Sequence, residues 1–127
     1  MRIKRFLKSV FLLISCVVMF VTPAYANQAE VVDVKIKSVG SDQFRIDTTI
    51  KHADTGWDHY ANAWVVFDEQ GNKIGERILH HPHVNEQPFT RSLTLAIPTA
   101  VKTITIRAQD SVHGLNEKGV QVAVPHK

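Results

Sequence analysis

The chain has one cysteine and two methionines, and all three sulfur atoms fall within its first 19 residues. Nothing after residue 26 contains sulfur. That excludes a stabilising disulfide, a thiol nucleophile and a soft ligand for copper(I) from the remaining 101 residues. Other absences narrow the field. No G-x-S-x-G elbow, Walker loop, H-E-x-x-H helix or zinc-finger cysteine spacing occurs. Carboxylates are present in the loops, but nothing fixes a glycosidase-like separation between two of them. Nor does any apolar run approach the roughly 20 residues a spanning helix needs: Val10 to Val21 has 12, broken by Ser15.

That run is the centre of an export signal. Arg2, Lys4, Arg5 and Lys8 precede it, and Ala24-Tyr25-Ala26 has the A-x-A form of a signal-peptidase site. Cleavage after Ala26 divides the chain into a leader, 1–26, and a mature domain, 27–127. Leu13-Ile14-Ser15-Cys16 also resembles a lipobox, in which Cys16 would be lipidated. Cleavage there would leave Val17 to Val21 on the mature chain and bypass the A-x-A site, so it is the secondary reading. The expected location is the periplasm, with no membrane attachment after cleavage. The net charge of +3 belongs to the leader as well: removing its four cations from 15 Lys and Arg leaves 11 against 12 Asp and Glu. No basic cluster remains to neutralise phosphates, which removes nucleic acid as a partner.

The mature chain alternates with period two and shows almost no helical pattern. Val32, Val34 and Ile36 mark a first strand, and Phe44, Ile46, Thr48 and Ile50 a second that ends near His52. His59 to Phe67 reads as a third, with Trp64 as a core residue, and Lys73 to His80 as a short fourth carried by Ile74 and Ile78. Pro82 and Pro88 make His81 to Pro88 a loop. Phe89, Arg91, Leu93, Leu95 and Ile97 share one face of a fifth strand, Arg91 lying at the sheet end or paired with a carboxylate such as Glu86. Ile104, Ile106 and Ala108 mark a sixth that reaches Asp110; Ser111 to Lys118 reads as a loop; Val120, Val122 and Val124 mark a seventh. Seven short strands with regular turn signals predict one all-β domain, a seven-stranded immunoglobulin-like β-sandwich.

That topology gathers the histidines. In such a sandwich the second, fourth and sixth connections lie at one end. His52 and His59 flank the second, His80, His81 and His83 belong to the fourth, and His113 to the sixth. Of seven histidines only His126 is elsewhere. Imidazole is a common ligand for zinc, copper(II), nickel and iron, and His81 and His83, two apart in an extended loop, can face one centre. Asp54, Asp58, Glu86 and Asp110 are near enough in sequence to ligate or to fix imidazole tautomers. Each histidine taken singly is more simply a solvated loop residue; the set points to metal.

His59-Tyr60 running into a strand with Trp64, together with Asp110-Ser111-Val112-His113-Gly114-Leu115, resembles the iron-binding domain of superoxide reductase, also called desulfoferrodoxin or neelaredoxin. The resemblance implies a seven-stranded immunoglobulin-like sandwich in which four histidines bind ferrous iron equatorially and a cysteine thiolate binds axially. It places His52, His59 and His113 at three of the histidine positions. The cysteine position, three before His113, is Asp110, and no histidine precedes His52. The His52 to His59 gap is one residue longer than the family's, and Trp64 lies one residue further from His59. Such a shift reverses strand facing unless a bulge absorbs it. The His-Pro-His turn is the candidate to replace the missing upstream histidine.

The expectation is therefore an exported domain holding one transition-metal ion, iron first and zinc or copper(II) after it. The ligands expected are His52, His59, His81, His83 and His113, with Asp110 and His80 as further candidates. Without a thiolate, superoxide reduction is not expected. The alternative from another class is a non-enzymatic interaction or carrier subunit of a periplasmic complex, whose histidine pole meets a protein partner.

Overall fold

The computed structural model describes Val17 and residues 27–127. Apart from Val17, the expected leader lies outside the described residues, as does the lipidation alternative at Cys16. Among the described residues no helix is long and apolar enough to cross a membrane.

Eight strands follow one another: β1 (Glu30–Gly40), β2 (Gln43–Lys51), β3 (Ala61–Phe67), β4 (Lys73–Ile78), β5 (Phe89–Ala96), β6 (Thr103–Asp110), β7 (Gly114–Leu115) and β8 (Val120–Ala123). One sheet has the order β1-β2-β5; the other has β4-β3-β6, with β7 and β8 both pairing along the outer edge of β6. Every pairing is antiparallel. The expected β-sandwich is thus the fold.

Alternation explains how the sheets face each other. Phe44, Ile46, Thr48 and Ile50 of β2 are buried, as are Ile104, Ile106 and Ala108 of β6. They meet Trp64, Val66, Phe89 and Ile97 in one core. Burying each large apolar side chain contributes about 1.5–3 kcal/mol. Trp64 is fully buried.

Two register shifts decide facings that spacing alone leaves open. The β3–β6 pairing slips between Ala61 and Ala63, so one extra residue is absorbed just before Trp64, which keeps the indole inward. The β3–β4 pairing slips between Val66 and Phe67, leaving Ile74 as the additional residue of β4. Beyond it the facing reverses. Gly75 faces Leu95, Arg77 reaches the carbonyl of Ser92, and Leu79 is buried. Ile78, one of the two residues that marked this strand in the sequence, is 44% exposed.

A short additional strand precedes the expected seventh. Gly114, at φ 74°, turns the chain back so that Leu115 pairs with Gln109 and Gly114 with Asp110. Two residues of the expected Ser111–Lys118 loop are therefore strand. Val120–Ala123 then pairs with Thr103–Ile106. His126 lies at the other end of the sandwich, edge-on to Phe44 with Nε2 2.7 Å from the carbonyl of Val101.

Candidate metal centre

The alternation that builds the core runs on past the strand ends. Two residues beyond Ile50 the next inward position is His52, and the next again is Asp54; both are buried. Two residues beyond Ala108, the next inward position on β6 is Asp110, 1% exposed. Polar groups thus occupy core-facing positions at one pole, where each needs partners.

The partners are present. Asp54 accepts from Nδ1 of His52, from the amide of Ala61 (2.9 Å) and, through its other oxygen, from the amide of His83 (2.7 Å). One carboxylate therefore joins the β2–β3 connection, the start of β3 and the β4–β5 loop. Gln87 adds a second link, accepting from the amide of His52 and donating to the carbonyl of His83, each at 3.0 Å. Asp110 accepts from the amides of His113 (2.8 Å), Val112 (3.0 Å) and Ala29 (3.3 Å). Burial alone would raise the pKa of Asp110, but these amides and the nearby His113 outweigh it and hold the carboxyl below its usual range. His59 is delivered by a tight turn. Gly56, at φ 144°, accepts from the His59 amide at 3.2 Å, and the His59 carbonyl accepts from the Thr55 amide at 3.0 Å.

Four donor atoms converge as a result. With Nδ1 committed to Asp54, the Nε2 of His52 lies 3.3 Å from Nε2 of His59 and 2.8 Å from the carbonyl oxygen of Asn27. Nε2 of His59 lies 3.1 Å from Oδ1 of Asp110. The ligating atoms of His52, His59 and Asp110 are all within 4.8 Å of one another. Bonds of about 2.1 Å to a central ion put neighbouring ligands about 3.0 Å apart in octahedral and about 3.4 Å apart in tetrahedral geometry. The three close contacts match ligand edges of that size. The cluster can hold a metal ion.

The fold is related to that of superoxide reductase. Superimposed on superoxide reductase (neelaredoxin) from Ignicoccus hospitalis, the chain gives a TM-score of 0.51 over 79% of its own length and 83% of the other, at 11% identity. By sequence it is 36% identical over 96 residues to a protein of Halomicrobium mukohataei bearing the name "Putative lipoprotein". That match takes in 76% of this chain and 47% of the relative, so the chain spans about half the relative's length. No family model matches the sequence.

Of the histidines expected at the site, the structure brings His52 and His59 together with Asp110. His113 stands beside them: its Nδ1 is 3.0 Å from Oδ1 of Asp110 and its ring 5.0 Å from that of His59, at the edge of a cleft of about 330 Å³. His83 turns elsewhere. Its ring stacks on Phe89 at 4.0 Å, and its Nε2 is 3.0 Å from Nη2 of Arg91, which also pairs with Glu86 at 3.2 Å. Burial, Arg91 and His81 together lower the pKa of His83. Neutral, with Nε2 accepting from Arg91, it carries its proton on a buried Nδ1 that has no partner among the described residues. His81 is exposed and lies 4.7 Å from the His83 ring; His80 is exposed at the end of β4. Neither is in the converging group. Asp54 fixes an imidazole, one of the two roles open to it, whereas Asp58 is exposed. Sequence reasoning passed over Asn27 and Gln87, neither of which carries a motif.

Proposed function

We propose that this chain is an exported metal-binding protein whose loop pole holds one ion through Nε2 of His52, Nε2 of His59 and a carboxylate oxygen of Asp110. The observation that carries this reading is the convergence of those atoms at ligand-edge spacing on a buried, ionised carboxylate. Two imidazoles and one carboxylate form the donor set that suits non-haem iron(II), and the superoxide-reductase-like fold supports the same choice. Zinc and copper(II) are the competitors for these ligands. His113 lies where it can complete the set or position Asp110 by hydrogen bonding. Export is supported by the leader's charge and hydropathy pattern and by the name of the Halomicrobium mukohataei relative.

Asp110 occupies the place at which the resemblance expects cysteine. A carboxylate is a harder donor than a thiolate and gives the ion less electron density. We therefore assign binding or sensing of the metal, or a redox reaction other than superoxide reduction, to the pole. The test is the metal content of protein purified without a histidine tag, followed by anaerobic titration with iron(II) and aerobic titration with zinc and copper(II). The expected result is one equivalent bound at submicromolar affinity, abolished by His59→Ala. A chain with no site tighter than micromolar for any of the three ions would sink the proposal.

A further inference from the structure

The residue that signal cleavage would make the amino terminus is already at the cluster. Asn27 is clamped to the β2–β3 connection by its side chain: Oδ1 accepts from the amide of Ala53 at 3.0 Å and Nδ2 donates to the carbonyl of Ala53 at 3.1 Å. The same Nδ2 lies 3.4 Å from Nδ1 of His59, and the carbonyl oxygen of Asn27 lies 2.8 Å from Nε2 of His52. The backbone takes the left-handed φ of 69°, which asparagine tolerates better than most residues. A residue 25 positions before His52 is thus held against both imidazoles by contacts from its side chain and its main chain.

A free α-amine and the carbonyl oxygen of the same residue close a five-membered ring on one ion when rotation about the Cα–C bond brings the two to the same side. The Asn27 carbonyl already stands at ligand-edge distance from His52. Its nitrogen is three covalent bonds from that oxygen, within chelating reach of the same centre once a free terminus can rotate about Cα–C. While Ala26 is attached, that nitrogen is a neutral amide with its lone pair delocalised, a much poorer ligand than an amine. Cleavage after Ala26 turns it into an amine.

We propose that the α-amine of Asn27, released by signal cleavage after Ala26, is a nitrogen ligand to the ion held by His52, His59 and Asp110, and that it chelates together with the Asn27 carbonyl. The inference rests on the metal-binding reading above and adds its processing step: peptide-bond hydrolysis consumes one water, leaves a carboxylate on Ala26 and frees the amine that completes the site. It also supplies a donor upstream of His52, where no histidine exists. Before export the site lacks this ligand, so the chain binds weakly in the compartment of synthesis and tightly after processing.

The experiment compares the chain beginning at Asn27 with the same chain carrying one additional glycine before it, each with and without His59→Ala. Titration with copper(II) and anaerobic iron(II) is expected to show at least tenfold weaker binding by the extended form and loss of binding in both His59→Ala variants. Labelling with α-15N-asparagine adds a direct readout, because it changes the nitrogen superhyperfine pattern of bound copper(II) when an asparagine main-chain nitrogen coordinates. Equal affinities, together with an unchanged pattern in the form beginning at Asn27, overturn the inference and leave the metal reading intact. Absence of binding by either form overturns both. The intact mass of the exported protein is expected to correspond to a start at Asn27; a lipidated start at Cys16 overturns the processing step.

Discussion

His52 and Asp54 both point into the sandwich beyond the end of β2, and the ring of His52 donates through Nδ1 to Oδ1 of Asp54. That bond fixes which ring nitrogen faces the cluster. The same carboxylate accepts from the amides of Ala61 and His83. Asp54→Asn exchanges one acceptor oxygen for a donor and sets it against at least one buried N–H. We expect about 1–3 kcal/mol of destabilisation in urea denaturation. Metal affinity should fall about 10–100-fold, as when the partner of a ligating histidine is removed. An affinity unchanged in the folded variant would show that tautomer control at His52 is unimportant.

His81 separates the converging side chains from the merely adjacent histidines. It is exposed and touches the ring of His83, which itself faces Phe89 and Arg91. His81→Ala should leave metal affinity within about threefold of the parent, since outside the ligand set only weak, screened effects remain. A loss as large as that of His59→Ala would place the centre nearer the His-Pro-His turn.

At the opposite end of the sandwich, Asp68 organises the β3–β4 turn by accepting from the amides of Asn72 (2.8 Å) and Gln70 (3.0 Å). The Asn72 amide is the main reason its carboxyl is held below the usual range. The unfolded chain would titrate near about 3.9. Because the folded value is lower, the turn's contribution is complete above the unfolded pKa and is lost as pH falls through the folded one. Carboxyl-carbon NMR should place the Asp68 midpoint below that of an unstructured aspartate. A midpoint above it would contradict the turn geometry.

Gly119 sits where β8 approaches β6. A Cβ there would come within 2.7 Å of the Ile106 carbonyl oxygen and 2.8 Å of Thr105 and Arg107 side-chain atoms. The carbonyl is part of the backbone and cannot swing away. Gly119→Ala should cost about 1–3 kcal/mol, read from the denaturation midpoint. It should leave metal stoichiometry at one, since the strained contact is remote from the cluster.

Much of this was legible in the sequence because a strand has period two. Phe44, Ile46, Thr48 and Ile50 disclosed the inner face of β2, and continuing the count reaches His52 and Asp54; on β6 the same count leads from Ala108 to Asp110. The outward facing of Ile78 was not legible, because a single added residue at Ile74 inverts every later position of β4 and nothing in the composition of that strand announces it. His83 illustrates a different limit. Its proximity to the pole follows from topology, but its orientation is decided by stacking on Phe89 and by Arg91, six and eight residues away. Asn27 and Gln87 act through amide groups on distant loops, and such contacts leave no periodic trace.

The cluster draws His52 from the end of the β1-β2-β5 sheet and Asp110 from the end of the other, and no strand ladder joins the two sheets among the described residues. Across that gap they rely on side-chain packing and a few polar contacts. An ion shared by both would act as a rivet at one end of the sandwich, coupling occupancy to unfolding. Proteases cut chains that open, so the supply of metal would then govern how long each molecule survives.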